Sequence, residues 1–129
     1  MHIEHIAIWC KDIEQMKTFY AKYFHATANN KYHNHAKKFT SYFLNFGNGA
    51  RLELMQMGNI SERMDSLTAQ YKGIAHFAIS LGSKERVDDL TQQLKQDGYI
   101  LLDGPRTTGD GYYESVIMDP EQNRIELTV

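Results

Sequence analysis

The stretch IEHIAI at residues 3–8 decides the fold, because a related stretch, IAHFAI, returns at residues 74–79. The two stretches share four of six positions at a shift of 71 residues (74 minus 3). RLEL at residues 51–54 likewise returns as RIEL at residues 124–127, at a shift of 73 residues (124 minus 51). Two separate matches at nearly one offset indicate that the chain contains an internal repeat.

The length and composition of the chain limit the kind of protein it can be. A chain of 129 residues is too short for two independent cores of ordinary size, so residues 1–129 are predicted to form one domain. Hydrophobic residues make up 42% and charged residues 23%, which is typical of a packed globular protein. The formal net charge is -2 and the basic residues are scattered, so no nucleic-acid partner is expected.

The first residues and the cysteine content bear on the location of the protein. Residues 1–4 have neither the basic start nor the apolar run of a secretory signal. Cys10 is the single cysteine, so no internal disulfide can form. Both features favour the cytoplasm. No apolar stretch approaches the roughly 20 residues that cross a bilayer, so no membrane association is expected.

Each repeat reads as one strand, one helix and three further strands. In the first repeat Asp12 can cap a helix, with Gln15 three residues on and apolar residues at helical spacing after it. In the second repeat a helix is predicted from Ser83 to Gly98. The later strands are predicted at about residues 26–32, 39–46 and 50–57 and at about residues 99–105, 112–118 and 124–129.

The repeats divide the chain into module one (residues 1–57), a linker (58–72) and module two (73–129). The linker is predicted to contain a short helix, because its apolar residues have a spacing of four, three and four positions. These residues are Ile60, Met64, Leu67 and Tyr71.

Strand alternation turns four polar side chains away from the helices, at matching positions of the two repeats. They are His5, Glu53, His76 and Glu126. Two carboxylates on apolar strands repel each other and are costly to bury unless a cation compensates them. Two neutral imidazoles and two carboxylates suit one divalent ion per site, of Ni, Co, Zn, Mn or Fe. An octahedral ion would keep two positions open for water or substrate.

These residues resemble those of the vicinal oxygen chelate superfamily, also called the glyoxalase, bleomycin-resistance and extradiol-dioxygenase superfamily. The resemblance covers nearly the whole chain and is strongest at residues 3–8, GIAHFAI (73–79) and DPEQNRIEL (119–127). It implies an α+β fold in which two βαβββ modules form a U-shaped mixed sheet around a metal site, with helices on the outer face. A homodimer of this chain is also expected. The resemblance implies it for a chain of this length, and a small open sheet would otherwise leave its edges uncovered.

The order His-Glu-His-Glu is most similar to bacterial glyoxalase I, a lactoylglutathione lyase. The resemblance implies that His5, Glu53, His76 and Glu126 are metal ligands, taken from one chain or from two. It also implies that a Glu moves a proton of a 2-oxoaldehyde thiohemiacetal through an enediolate that the metal stabilises. Glu126 is favoured over Glu53 as the base, because it lies three residues from Val129 on a strand that can move more freely.

The substrate contacts depart from those of glyoxalase I. Enzymes of that type resemble one another in an Arg near the end of the first strand and an Asn beyond the first Glu ligand, which grip glutathione. Trp9 and Met57 stand there in this chain, so another small-molecule substrate or thiol adduct is expected. The candidate substrate contacts are Trp9, Arg51, Met57, Arg106 and Tyr113.

Two other functions fit the same pattern. An acyl-CoA epimerase uses similar enolate chemistry, although such enzymes resemble one another in carrying Gln where Glu53 stands. A non-catalytic drug-binding protein similar to bleomycin-resistance proteins would use Trp9 and the tyrosines as an aromatic groove. The intact His-Glu-His-Glu set favours an enzyme over the drug-binding protein, and Glu53 counts modestly against the epimerase.

Overall fold

A computed structural model describes all 129 residues and divides the chain into two compact units, Met1–Glu62 and Arg63–Val129. The boundary between the units falls inside the predicted linker. Each unit holds one βαβββ module with its own mixed sheet and one helix. The α+β class and the paired modules predicted from the repeat are therefore confirmed.

Module one consists of six elements in the sheet order β1-β5-β4-β2, with β3 also on β4. Its elements are β1 (His5–Trp9), α1 (Ile13–Phe24), β2 (Thr27–Ala28), β3 (Tyr32–Asn34), β4 (Phe39–Asn45) and β5 (Arg51–Gln56). Strands β1 and β5 are parallel, and the other pairs are antiparallel. The strand predicted at residues 26–32 is divided into β2 and β3. Between them the side chain of Asn29 accepts a hydrogen bond from the Phe43 amide and interrupts the regular ladder.

Module two has the sheet order β6-β9-β8-β7, which repeats the plan of module one. Its elements are β6 (Phe77–Ser80), α2 (Lys84–Gln96), β7 (Leu101–Thr107), β8 (Tyr113–Met118) and β9 (Arg124–Thr128). Strands β6 and β9 are parallel, and β9, β8 and β7 are antiparallel neighbours. In both modules the first strand therefore pairs in parallel with the last.

Both predicted helices are present, and each begins at the predicted cap. The Asp12 carboxylate accepts hydrogen bonds from the amides of Glu14 and Gln15, and the Ser83 hydroxyl accepts one from the Arg86 amide. Each helix covers one side of its sheet, which we call the helix face; the other side is the open face. The buried side chains of the helix face include Leu52, Leu54, Ile125 and Leu127.

The helix predicted in the linker is absent, and residues 58–72 contain only turns, bends and irregular chain. The Arg124 side chain of β9 donates hydrogen bonds to the carbonyl oxygens of Ser66 and Leu67. In a helix those carbonyls would accept from amides four residues further on. The Ser66 hydroxyl also accepts from the amides of Thr68 and Ala69, which closes a tight turn. Tertiary hydrogen bonds thus replace the helix that the apolar spacing indicated.

Gly104 lies where the pairing between β7 and β8 is irregular, between Asp103 and Arg106. Its φ of +80° belongs to the left-handed region, and an added Cβ would lie 2.5 Å from the carbonyl oxygen of Glu114. We expect Gly104→Ala to lower the free energy of unfolding by about 2–3 kcal/mol, because it adds backbone strain and a steric overlap.

Urea unfolding checks this prediction, with Gly109→Ala as the matched control. No atom lies within 4 Å of the Cβ that this control adds, and we expect its free energy of unfolding to change by less than about 0.5 kcal/mol. Equal stabilities of the two variants would show that the irregular pairing at Gly104 does not require glycine.

Candidate functional site

The first predicted ligand pair lies on the open face of module one. The parallel register places Ala7 opposite Glu53 and His5 opposite Arg51, so His5 and Glu53 are diagonal neighbours. Their side chains approach across the small side chain of Ala7, and His5 Nε2 lies 3.8 Å from Glu53 Oε2. The structure therefore brings this predicted pair together.

Module two repeats this arrangement. Ala78 lies opposite Glu126 in the parallel pairing of β6 and β9, and His76 directly precedes β6. His76 Nε2 lies 3.2 Å from Glu126 Oε2. The same residue types therefore meet at the same register position in both sheets.

The donor set of each pair fits a divalent metal ion. Ligands held about 2.0–2.2 Å from an ion are themselves about 2.8–3.6 Å apart at octahedral or tetrahedral angles. The His76–Glu126 distance of 3.2 Å falls in this range, and the His5–Glu53 distance of 3.8 Å is slightly wider. The histidine side chains are 40% and 45% exposed, whereas the glutamates are only 14% and 17% exposed. An ion in solution can reach the imidazoles, and the largely buried carboxylates gain most from its charge.

The structure groups the predicted ligands two by two. Each module supplies one His and one Glu on its open face. No cluster of three or more His, Cys, Asp or Glu side chains is placed to hold a metal ion. The complete set of four ligands belongs to the functional proposal below.

Glu4 is a further residue of the site in module one that the strand pattern did not indicate. Its carboxylate accepts a hydrogen bond of 2.5 Å from His5 Nδ1, and it also pairs with the Arg51 guanidinium. A proton on Nδ1 leaves the Nε2 lone pair directed toward Glu53 and available to a metal. The hydrogen bond from His5, followed by the contact with Arg51, lowers the pKa of Glu4. In module two Ala75 stands at the corresponding position, so this support exists only in module one.

Glu114 is a second carboxylate on the open face of module two. It lies opposite Thr128 in the pairing of β8 and β9, diagonal to Glu126. Burial, and then repulsion from Glu126, raise the pKa of the Glu114 carboxyl. The open face of module two therefore carries two neighbouring carboxylates, Glu114 and Glu126.

Three of the candidate substrate contacts belong to module one. Trp9 ends β1 on the open face, is 41% exposed, and lies 6.1 Å from the Phe39 ring, centroid to centroid. The Arg51 guanidinium lies 4.2 Å from the centre of the Phe43 ring and is neutralised by Glu4. Met57 directly follows β5 and is partly exposed. Trp9 and Arg51 thus share the open face with the histidine–glutamate pair.

The two candidate substrate contacts of module two form hydrogen bonds with carboxylates of the same module. Arg106 donates hydrogen bonds to both carboxylate oxygens of Asp103. Tyr113 lies on the helix face, where its hydroxyl donates to the Asp88 carboxylate at 2.7 Å. Strand alternation turns Tyr113 to the side opposite Glu126, so within module two its side chain does not share the open face with the histidine–glutamate pair. The sequence pattern around Tyr113 did not predict its hydrogen bond to Asp88 on α2.

A surface groove of about 740 Å³ lies on the helix side of module one, away from the histidine–glutamate pair. Three lysines line it: Lys17, Lys22 and Lys31. Lys17 and Lys31 both contact the Glu14 carboxylate at 2.8 Å, and Lys22 donates to the Tyr23 hydroxyl. Hydrogen bonds from Lys17 and then Lys31 lower the pKa of Glu14 to about 2. Lysines of this groove thus pair with a carboxylate of the same module, and none of the predicted metal ligands lines the groove.

The sequence places the chain in a known superfamily. A family model for the glyoxalase/bleomycin resistance protein/dioxygenase superfamily matches residues 2–127. The chain therefore belongs to this superfamily, as the repeated motifs predicted. No curated protein sequence matches the chain.

Solved structures of glyoxalase proteins share the fold. The trypanothione-dependent glyoxalase I of Leishmania major has 20% sequence identity and a TM-score of 0.76, over 99% of this chain and 86% of that one. A possible glyoxalase from Bacillus cereus has 25% identity and a TM-score of 0.71, over 100% and 99% of the two chains. Glyoxalase I of Zea mays has 22% identity and a TM-score of 0.78, over 98% of this chain but 44% of the maize chain.

Neither helix of the chain has the length and apolar character that crossing a bilayer requires.

The support that Glu4 gives to His5 leads to a testable prediction. We expect Glu4→Ala to lower the affinity for a divalent metal ion by about 10–100-fold, because His5 loses the acceptor that fixes its orientation. Competition with a chromophoric chelator measures this affinity. Glu62→Ala, at an exposed position of the linker, is the control and should bind as the unmodified protein does. Equal affinities of the two variants would exclude a positioning role for Glu4.

Proposed function

We propose that this chain is a metal-dependent lyase or isomerase of the glyoxalase I kind, acting on the thiohemiacetal of a 2-oxoaldehyde. The observation that carries the proposal is the pair of one histidine and one glutamate at the same register position of both modules. Membership of the superfamily supports it. The shared fold with glyoxalase proteins supports the architecture that such a site needs.

His5, Glu53, His76 and Glu126 would hold one divalent ion of Ni, Co, Zn, Mn or Fe. Such an ion supplies Lewis acidity, which stabilises negative charge that develops on the substrate oxygens. The chain itself contributes the orientation of the ligands and the carboxylates that move the proton. Glu4 orients His5 through Nδ1, and the small Ala7 and Ala78 side chains leave room beside each carboxylate.

The proposed reaction transfers one proton between neighbouring carbons. A glutamate carboxylate accepts the proton of the carbon that bears the sulfur and the hydroxyl, and the electron pair left behind forms an enediolate. The same carboxylic acid then returns the proton to the neighbouring carbon, and the hydroxyl proton moves from the oxygen of the sulfur-bearing carbon to the oxygen of that neighbour, which becomes the new hydroxyl. The product is a 2-hydroxy thioester with the same atoms as the substrate, so no oxidant, reductant or further reactant is consumed.

Glu126 is the principal base in this proposal. Module one is braced around its ligand pair, because Glu4 contacts both His5 and Arg51. Module two has Ala75 in place of Glu4, so the His76–Glu126 pair lacks this support. A carboxylate that must loosen to accept a proton meets less resistance in the less braced module.

Replacing each glutamate by glutamine tests this assignment. An amide oxygen can still coordinate a metal, but an amide cannot accept the proton at neutral pH. We expect Glu126→Gln to retain metal and to lose at least about 100-fold in kcat. Glu53→Gln should keep the larger residual rate.

The assay uses methylglyoxal with a panel of low-molecular-weight thiols, and metal content is measured for each variant. Equal rates and equal metal contents in the two variants would remove the preference for Glu126. Full activity in both variants would contradict a role for either carboxylate as the base.

The proposal includes a homodimer. β1 and β6 each lie at an edge of their sheet, and several large apolar side chains are exposed, including Ile3, Met64 and Ile74. The maize glyoxalase I chain, of which this chain covers 44%, is more than twice as long, as two joined copies would be. The four ligands then come from both modules of one chain or from modules of two paired chains.

Light scattering at micromolar concentration checks the assembly. We expect the mass of two chains, because pairing covers sheet edges and apolar side chains that a single copy exposes. A mass of one chain across this concentration range would contradict the dimer.

A further inference from the structure

We propose that the open face of module one binds an uncharged aromatic group attached to the reacting carbons of the substrate, as in an aryl-substituted 2-oxoaldehyde. This inference rests on the proposed function and names its substrate class. The surface that would bind the group is formed by four side chains, which we call the aromatic platform. They are Trp9, Tyr32, Phe39 and Met55.

The strand register places the platform directly beside the ligand pair of module one. Trp9 lies opposite Met55, one step further along the strands than the Ala7–Glu53 pair. The same row continues through Ser41 of β4 to Tyr32 of β3. Two residues along a strand span about 7 Å, so the row begins about that far from Glu53. A ring bonded directly to a reacting carbon covers this distance.

The rings of the platform support one another and remain open to a ligand. The Phe39 ring lies 6.1 Å from the Trp9 ring at 88°, and 6.2 Å from the Tyr32 ring at 60°. Trp9 is still 41% exposed and Tyr32 is 53% exposed. Aromatic side chains in such arrangements bind a further ring through edge and face contacts. Exposed rings beside convergent polar groups are typical of small-molecule sites.

The fold itself does not require aromatic residues at these positions. Module two has the same strand register. There Ser80 occupies the position equivalent to Trp9, and Thr128 occupies the position equivalent to Met55. Glu114, opposite Thr128, stands for Ser41. The row that is aromatic in module one is therefore polar in module two. This difference indicates that the platform serves a ligand rather than the sheet.

The charges on the open face of module one define the kind of group that fits. The row from Trp9 to Tyr32 contains no charged residue. Arg51, the basic residue of β5, lies opposite His5, on the far side of the Glu53 row, and is neutralised by Glu4. A group with carboxylates would find no free cation on the platform, whereas an uncharged ring gains contact area without losing hydrogen bonds to water.

Trp9 is the only tryptophan of the chain, so its fluorescence reports on the platform alone. We expect mandelate to change this fluorescence with a Kd at least about tenfold lower than that of lactate, which has the same carboxylate and hydroxyl but no ring. Tyr32→Ala should remove most of the difference. Tyr112→Ala is the matched control, because Tyr112 is 59% exposed but belongs to module two.

Turnover gives a second, independent readout. The ratio of kcat/KM for the phenylglyoxal adduct to that for the methylglyoxal adduct, with one thiol, should fall by at least about tenfold in Trp9→Ala. Tyr32→Ala should lower the same ratio, and Tyr112→Ala should leave it unchanged.

The two readouts separate failure of the platform from failure of the proposed function. Selective mandelate binding that is lost in Tyr32→Ala, without turnover of either adduct, would keep the platform and overturn the proposed reaction. Turnover without preference for mandelate, and with an unchanged ratio in Trp9→Ala, would overturn the platform and keep the reaction.

Discussion

The parallel pairing between the first and the last strand of each module is the constraint on which the candidate site depends. This pairing sets Ala7 opposite Glu53 and Ala78 opposite Glu126, so that each glutamate meets the histidine one step away. A slip by one residue would turn every ligand side chain to the helix face. Burial of Leu52 and its neighbours beneath the helices therefore fixes the register from the opposite side of the sheet.

The repeat explains why two similar modules carry different chemistry. The helix face is apolar in both modules, because each helix must cover its sheet. The open face has no such requirement, and here the copies differ: Glu4 and Trp9 of module one correspond to Ala75 and Ser80 of module two. The conserved backbone plan thus supplies one ligand pair per module, whereas the surrounding positions supply support and substrate contacts to one module only.

The sequence indicated those features that depend on local pattern. Alternation in RLEL and RIEL separated the glutamates from the buried leucines, and the caps at Asp12 and Ser83 located both helices. Features that depend on distant partners were missed. The prediction of a linker helix is wrong because the Arg124 side chain donates a hydrogen bond to a carbonyl oxygen of that segment. The hydrogen bond from the Tyr113 hydroxyl to Asp88 also joins residues that are distant in the sequence. The role of Glu4 could not be predicted from the sequence, because it depends on the orientation of the His5 ring.

The metal content of gently purified protein tests the central claim most directly. Elemental analysis should find about one divalent ion per chain, and His5→Ala/His76→Ala protein should contain almost none. His33→Ala/His35→Ala is the matched control, because it also removes two histidines, whose rings lie 4.2 Å apart, but leaves both ligand pairs intact. It should keep its metal. Full occupancy in His5→Ala/His76→Ala protein, or an unmodified protein that binds no divalent ion, would contradict the account.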